Sequence, residues 1–196
     1  MGRPAKFCRD EAVVTAMHAF WDKGYEAVSV NELSQAMSIT RSSFYNCFGS
    51  RDALFEEAIA LYIRSAPDYF LLTLAPEAEV VPAFRQALKT LCRDRAADPD
   101  ARGCMIINCL ACANGSNKAA PKLVAMMEEK LDRFSALMET AIRRGEISRS
   151  HDPRATAQAI LTYMIGVNMI CKIVPSEAKL WRATEQFLNG IGLGAH

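Results

Sequence analysis

Residues Val28–Phe55 read VSVNELSQAMSITRSSFYNCFGSRDALF, and the spacing of hydroxyls, acids and aromatics along them decides the fold. Ser29 stands three residues before Glu32, so a hydroxyl and a carboxylate can each satisfy a free backbone N–H at a helix start. A helix therefore begins at Val30, with Leu33, Ala36 and Met37 as its expected buried face. Ser38-Ile39-Thr40 is a short polar break, and Thr40 is placed to cap a second helix over 41–48. Phe44 and Phe48 lie one turn apart on the apolar side of that helix. This leaves Arg41, Ser42, Ser43, Tyr45 and Asn46 to face outward near its N-terminal end. Small hydrogen-bonding side chains with one arginine and one tyrosine suit a groove: a helix-turn-helix sets such residues against base edges, while hydroxyls and helix N-termini hold phosphates.

The stretch resembles the DNA-binding signature of the tetracycline-repressor (TetR) family of bacterial transcription regulators, and the likeness extends upstream to Gly2. The family closes its recognition helix with Y-x-x-F and opens the next with S-K/R-x-x-L. Here Tyr45, Phe48, Ser50, Arg51 and Leu54 match. Gly24, Tyr25 and Ser29 are similar to its G-Y/F-x-x-x-S/T link. The resemblance implies that Ser29, Thr40, Tyr45 and Arg51 hold phosphates and that Arg41, Ser42, Ser43 and Asn46 approach bases. Two positions depart from the usual pattern: Ser42 stands where the family has glycine, and Cys47 where it has an aromatic residue or histidine.

The chain has 196 residues, 51% of them hydrophobic, and a formal net charge of +1, so it does not coat nucleic acid through bulk charge. In its first stretch Arg3, Lys6, Arg9, Lys23, Arg41 and Arg51 are offset by Asp10, Glu11, Asp22, Glu26, Glu32 and Asp52, so any DNA contact must rest on a local separation of signs. No apolar run approaches the roughly 20 residues that span a bilayer, and the N-terminus lacks a signal-peptide core. The expectation is a cytoplasmic protein without membrane contact. Seven cysteines, an odd number, fit reduced thiols better than a disulfide framework.

Residues 2–7 form a short basic arm in which Arg3 and Lys6 are candidate minor-groove or phosphate contacts; a disordered terminus is the alternative. A first helix is expected over 10–23, ended by Gly24, and a fourth over about 52–65 behind the Ser50 cap. The proline-containing segment 67–81 is irregular, and a fifth helix follows over about 80–97. Residues 103–113, GCMIINCLACA, read as a short helix buried on every side. Their R-G-C-x-I-x-N pattern resembles one TetR subgroup, in which this helix lies between two parts of the ligand-binding domain. Long helices over 121–143, 152–172 and 177–189 complete the chain, the second opened by Asp152-Pro153. No segment carries a period-2 strand pattern. The fold is all-α, about nine helices, with an N-terminal helix-turn-helix domain over 1–50 and an effector-binding and dimerisation domain over 51–196.

Ala155, Ala159, Gly166 and Ile170 offer small residues for close helix approach, and with Trp181 and Phe187 they form the expected face of a homodimer. The resemblance implies the same four-helix interface, two recognition helices about 34 Å apart and a palindromic operator of double-stranded DNA. Cys104, Met105, Asn108, Cys109, Cys112, Met127, Phe134, Met138, Tyr163 and Met164 are the candidate effector-binding residues. Flexible thioethers suit an adaptable cavity for a small apolar or weakly polar effector, although a methionine stripe is equally the mark of a core. Asn108 needs partners, either a ligand or a neighbouring backbone group. Cys104, Cys109 and Cys112 lack zinc-site spacing, and His18, His151 and His196 are scattered, so no metal and no cofactor is expected. Two function classes stay open. One is a ligand-responsive DNA-binding regulator, not an enzyme; the other is a thiol-dependent redox or electrophile-processing protein using Cys109 or Cys112.

Overall fold

Helix boundaries in the computed structural model, which describes residues 8–112 and 118–194, follow local capping chemistry. Helix α1 (Arg9–Lys23) stops at Gly24, which takes φ 77° while its amide donates to Phe20 O. Helix α2 (Val30–Ala36) starts on the reciprocal box expected of Ser29 and Glu32: Glu32 N donates to Ser29 Oγ at 3.2 Å, and Ser29 N donates to Glu32 Oε2 at 2.8 Å. Thr40 caps α3 (Arg41–Phe48) by accepting from Ser43 N at 3.1 Å, and Ser50 caps α4 (Arg51–Ser65) through Ala53 N at 3.0 Å. A 3-10 turn (Tyr69–Thr73) precedes α5 (Val80–Ala97), α6 (Met105–Ala111), α7 (Ala120–Arg144), α8 (Pro153–Ile170) and α9 (Glu177–Gly190). The described residues thus hold nine α-helices and no strand. None of these helices is long and apolar enough to cross a membrane.

The chain divides into two compact units: residues up to Ser65 together with Met105–Leu123, and Ala66–Cys104 together with Val124 onward. The division does not fall at residue 50. Leu54, Phe55, Ala58 and Ile59 of α4 are buried, and α4 packs along α1, so the fourth helix completes the N-terminal core. In that core Phe55 meets Phe20 edge-on at 5.0 Å and Tyr25 at 4.8 Å. Aromatic pairs of this kind add about 0.5–1.5 kcal/mol beyond area burial. Helix α6 joins the same unit through Met105, Ile106 and Cys109, against α1 and α4. It is not buried on every side as expected: Ile107, Asn108 and Leu110 are half-buried, and Ala111 and Cys112 are exposed. Likewise α2 buries Leu33 and Ser34, whereas Ala36 is exposed, because the last turn of this short helix peels away into the turn.

The second unit is organised around Phe84 and Phe134, which meet edge-on at 4.9 Å among buried side chains of α5, α7, α8 and α9. Two buried polar pairs stand there, since Arg95 Nε donates to Asn168 Oδ1 and Lys130 Nζ pairs with Asp68 at 2.6 Å, whereas Arg85 Nη1 and Glu146 Oε1 are buried without a hydrogen-bond partner among the described residues. Gly103 lies against the Asn168 backbone with φ +74°, where an added Cβ would stand 2.5 Å from Asn168 O. Gly103→Ala combines a left-handed backbone with that clash, so a loss of at least about 2 kcal/mol is expected in chemical denaturation.

Candidate nucleic-acid interface

The turn between α2 and α3 is closed by backbone chemistry. Ile39 N donates to Ser34 O at 2.9 Å and Ser38 N to Gln35 O at 3.0 Å, the paired bonds of a Schellman motif. Ser38 takes the left-handed position at φ 55° that glycine usually fills. This geometry throws the start of α3 outward. Phe44 and Phe48 are buried beneath it, as their spacing predicts, and Arg41, Ser42, Tyr45 and Asn46 share the exposed face. None of these four side chains makes a hydrogen bond or ion pair to a described residue, and Tyr45, 51% exposed, meets the Phe44 ring edge-on at 5.6 Å. Ser43 is half-buried and bonded to Thr40 at 2.9 Å, which makes it part of the cap. Ser29 and Thr40 are exposed N-caps whose hydroxyls already accept from the backbone. Arg3 and Lys6 lie outside the described residues.

Arg51 sits differently from the expectation that it holds a phosphate. Its Nη1 donates to Tyr25 O at 3.1 Å and to Val28 O at 2.9 Å, and its guanidinium lies 4.2 Å over the Tyr25 ring. Its Nη1 is engaged by the protein's own link between α1 and α2. Tyr25 OH completes the clamp by donating to Asp52 Oδ1 at 2.6 Å; burial first, and then this bond, raise the phenol above its ordinary pKa. Sequence reading missed the clamp, because its partners lie 23–27 positions apart. The available signal was a tyrosine after a helix-ending glycine together with an Arg-Asp pair opening α4.

Neighbouring charges are neutralised pairwise. Arg9 makes a bidentate pair with Glu57 at 2.7 and 2.6 Å, and Lys23 pairs with Glu32 at 3.1 Å. Arg41 is left without a carboxylate partner among the described residues, so a nearly neutral chain presents a bare cation on this face. The Ser29 amide, the Lys23 ammonium and the Ser29 hydroxyl together hold the Glu32 carboxyl at a pKa of about 2.

The candidate effector residues fall in both units. Met105, Asn108, Cys109 and Cys112 belong to the first unit, whereas Cys104, Met127, Phe134, Met138, Tyr163 and Met164 belong to the second. Asn108 Nδ2 donates to Trp21 O at 3.2 Å, the backbone alternative open for it in sequence. Cys109 is fully buried with its thiol toward Phe20 O, and Cys112 is exposed with its side chain against Gly24. Phe134, Met138 and Met164 are packed into the second core, Met127 is half-buried, and Tyr163 donates to Thr184 at 3.2 Å. Among the expected dimer residues, Ala155, Gly166 and Ile170 are exposed and Ala159 is half-buried. Phe187 stacks on Tyr163 at 4.1 Å, and Trp181 lies under Arg85 and Lys89, so both rings pack within their own unit. No group of three His, Cys, Asp or Glu side chains placed to hold a metal occurs among the described residues.

Two family models match the chain: "Bacterial regulatory proteins, tetR family" over residues 13–58, and "Tetracyclin repressor-like, C-terminal domain" over residues 82–187. The chain is 29% identical over 184 residues to the HTH-type transcriptional repressor ComR of Escherichia coli (strain K12), covering 91% of this chain and 86% of ComR. It is 28% identical over 171 residues to the transcriptional regulator AcuR of Cereibacter sphaeroides, covering 81% and 75% of the two chains. Its structure superposes on a cysteine-substituted form of the regulator CifR, complexed with a 26-base-pair operator duplex, with a TM-score of 0.81, 28% identity and coverage of 97% and 100%.

The Glu32 pairings make helix α2 pH-sensitive. A carboxyl depressed in the folded state from 4.5 to about 2 contributes stability that is present above pH 4.5 and lost as pH falls toward 2. The stability advantage over Glu32→Gln should therefore shrink across that window, as followed by denaturant midpoints at successive pH values.

Proposed function

Because the chain belongs to the TetR family of bacterial transcriptional regulators, we propose that it acts as a dimeric repressor that grips a palindromic operator with two copies of α3 and lets go when a small effector binds. Membership places it among DNA-binding regulators rather than enzymes. The observation that supports the operator reading is the exposed face of α3, where Arg41, Ser42, Tyr45 and Asn46 have no partner within the described protein. Arg41 and Asn46 carry the donors and acceptors that read base edges, and Ser42 can serve either a base or a phosphate. Tyr45, Thr40 and Ser29 would lie along the backbone. Arg51 is reassigned from phosphate contact to holding these groups in place through the Tyr25 clamp. CifR, the superposed relative, was crystallised on an operator duplex, which supports the same role here.

Dimerisation through α8 is supported by its outward edge. Ala155, Gly166 and Ile170 are exposed there, and Met169 and Ile173, 51% and 77% exposed, extend the edge with apolar surface that a monomer leaves in water. A second copy would bury it and set two copies of α3 about one helical turn of DNA apart, roughly 34 Å. Release by an effector follows from differential affinity: a small molecule accommodated among the thioethers and rings of Met127, Phe134, Met138, Tyr163 and Met164 shifts the population toward a shape that cannot match both half-sites. The thiol-enzyme alternative loses its ground because the family's members are regulators; of its two cysteines, Cys109 is buried in the first unit and Cys112 is exposed.

Fluorescence anisotropy against DNA from upstream of its own gene tests the operator contact. Arg41→Ala and Tyr45→Ala should each weaken specific binding by about 1–3 kcal/mol, roughly 5- to 150-fold, with helical circular dichroism unchanged. Native affinity in both variants would overturn the placement of the reading face. Ile170→Glu should convert the protein to monomers in sedimentation velocity and abolish specific binding, whereas an intact dimer would move the interface elsewhere.

A further inference from the structure

The second unit contains a crevice that the operator-and-effector reading leaves unused. It lies between the 74–80 segment and the C-terminal half of α7 and has a volume of about 460 Å³, within the range of roughly 300–1,000 Å³ typical of small-molecule sites. Leu74, Pro76, Val80 and Leu137 supply its apolar walls. Three cations, Arg133, Arg143 and Arg144, border it together with Thr140.

These guanidinium groups are oriented entirely by neutral oxygen. Arg133 Nε donates to Leu71 O at 3.2 Å, and Arg143 Nη2 donates to Thr140 Oγ1 at 2.8 Å. Arg144 donates through Nη1 to Ala78 O at 2.7 Å and through Nη2 to Pro76 O, pinning the 74–80 segment to α7. None of the three has a carboxylate within 4.0 Å among the described residues. Elsewhere Arg9, Arg93, Arg102 and Arg154 are all paired with acids, so this concentration of uncompensated charge is local. Each guanidinium has five N–H donors and uses only one or two on the protein.

We propose that this crevice binds an apolar monocarboxylate, its head group held among the guanidinium groups that border it and its hydrocarbon body laid against Leu74, Val80 and Leu137. Charge-assisted bonds from arginine suit the planar carboxylate, and apolar walls select against a bare inorganic anion, which would leave them wet. An alcohol of the same length would fill the walls and leave the cations unmet. The ligand class is thus fixed by both halves of the crevice together.

Isothermal titration of the intact protein with octanoate, octanol and acetate tests this. Octanoate should bind saturably at one per chain, with acetate and octanol each at least tenfold weaker. Arg143→Gln, on an exposed side chain, and Arg133→Gln should each weaken octanoate at least fivefold while leaving operator affinity and helical content native. Tyr45→Ala should bind octanoate as the native protein does, which separates this site from the DNA reading. Absence of saturable octanoate binding, equal binding of octanol, or native affinity in both arginine variants would overturn the proposal.

Discussion

One guanidinium holds the reading head together. Arg51 reaches back from the first residue of α4 to two carbonyls of the link between α1 and α2, and it does so flat against the Tyr25 ring. Hydrogen bonds from a charged donor contribute about 1.5–3 kcal/mol each, more than neutral ones, and a partly desolvated cation–π contact adds up to about 2 kcal/mol. The link determines where α2 begins, α2 determines the turn at Ser38, and the turn determines the direction of α3. Loss of the clamp would therefore be felt on a face that Arg51 never touches.

The distribution of charge repeats the same logic on a larger scale. With 23 basic and 22 acidic side chains, the chain has no field to spare, and most exposed cations near α3 are cancelled by a carboxylate two or three ångströms away. The cancellation stops in particular places. Arg41 on α3 is one such place, and the arginines along the C-terminal half of α7 are another. A local excess of one sign steers a ligand even on a neutral protein, provided the opposite sign is held elsewhere by short ion pairs.

Much of the reading face was legible in residue order. The Ser29–Glu32 box, the Thr40 cap and the Phe44–Phe48 pair are local, and each appears in the structure at its expected position. Local rules lost their hold where the partners are distant. The family resemblance gives Arg51 to a phosphate, and residue order does not show that the Tyr25 and Val28 carbonyls fold back onto its Nη1. GCMIINCLACA reads as a helix buried all round, yet burial depends on which neighbours arrive, and against α1 and α4 only Met105, Ile106 and Cys109 of α6 are fully buried. The candidate effector residues were grouped by type, and the chain distributes them between two separately packed units.

Residue order alone determined the helices, the turn and the outward set on α3, because capping and the 3.6-residue period act within a few residues and need no partner from elsewhere. It also determined family membership, since the motif from Tyr45 to Leu54 is contiguous. Tertiary structure alone decided which arginines are spent on the protein and which remain available for a ligand. A guanidinium has the same charge and the same donors wherever it stands. Its role is settled by whether a carbonyl or carboxylate from 20 or more positions away comes within about 3 Å, a distance that only the packed chain defines.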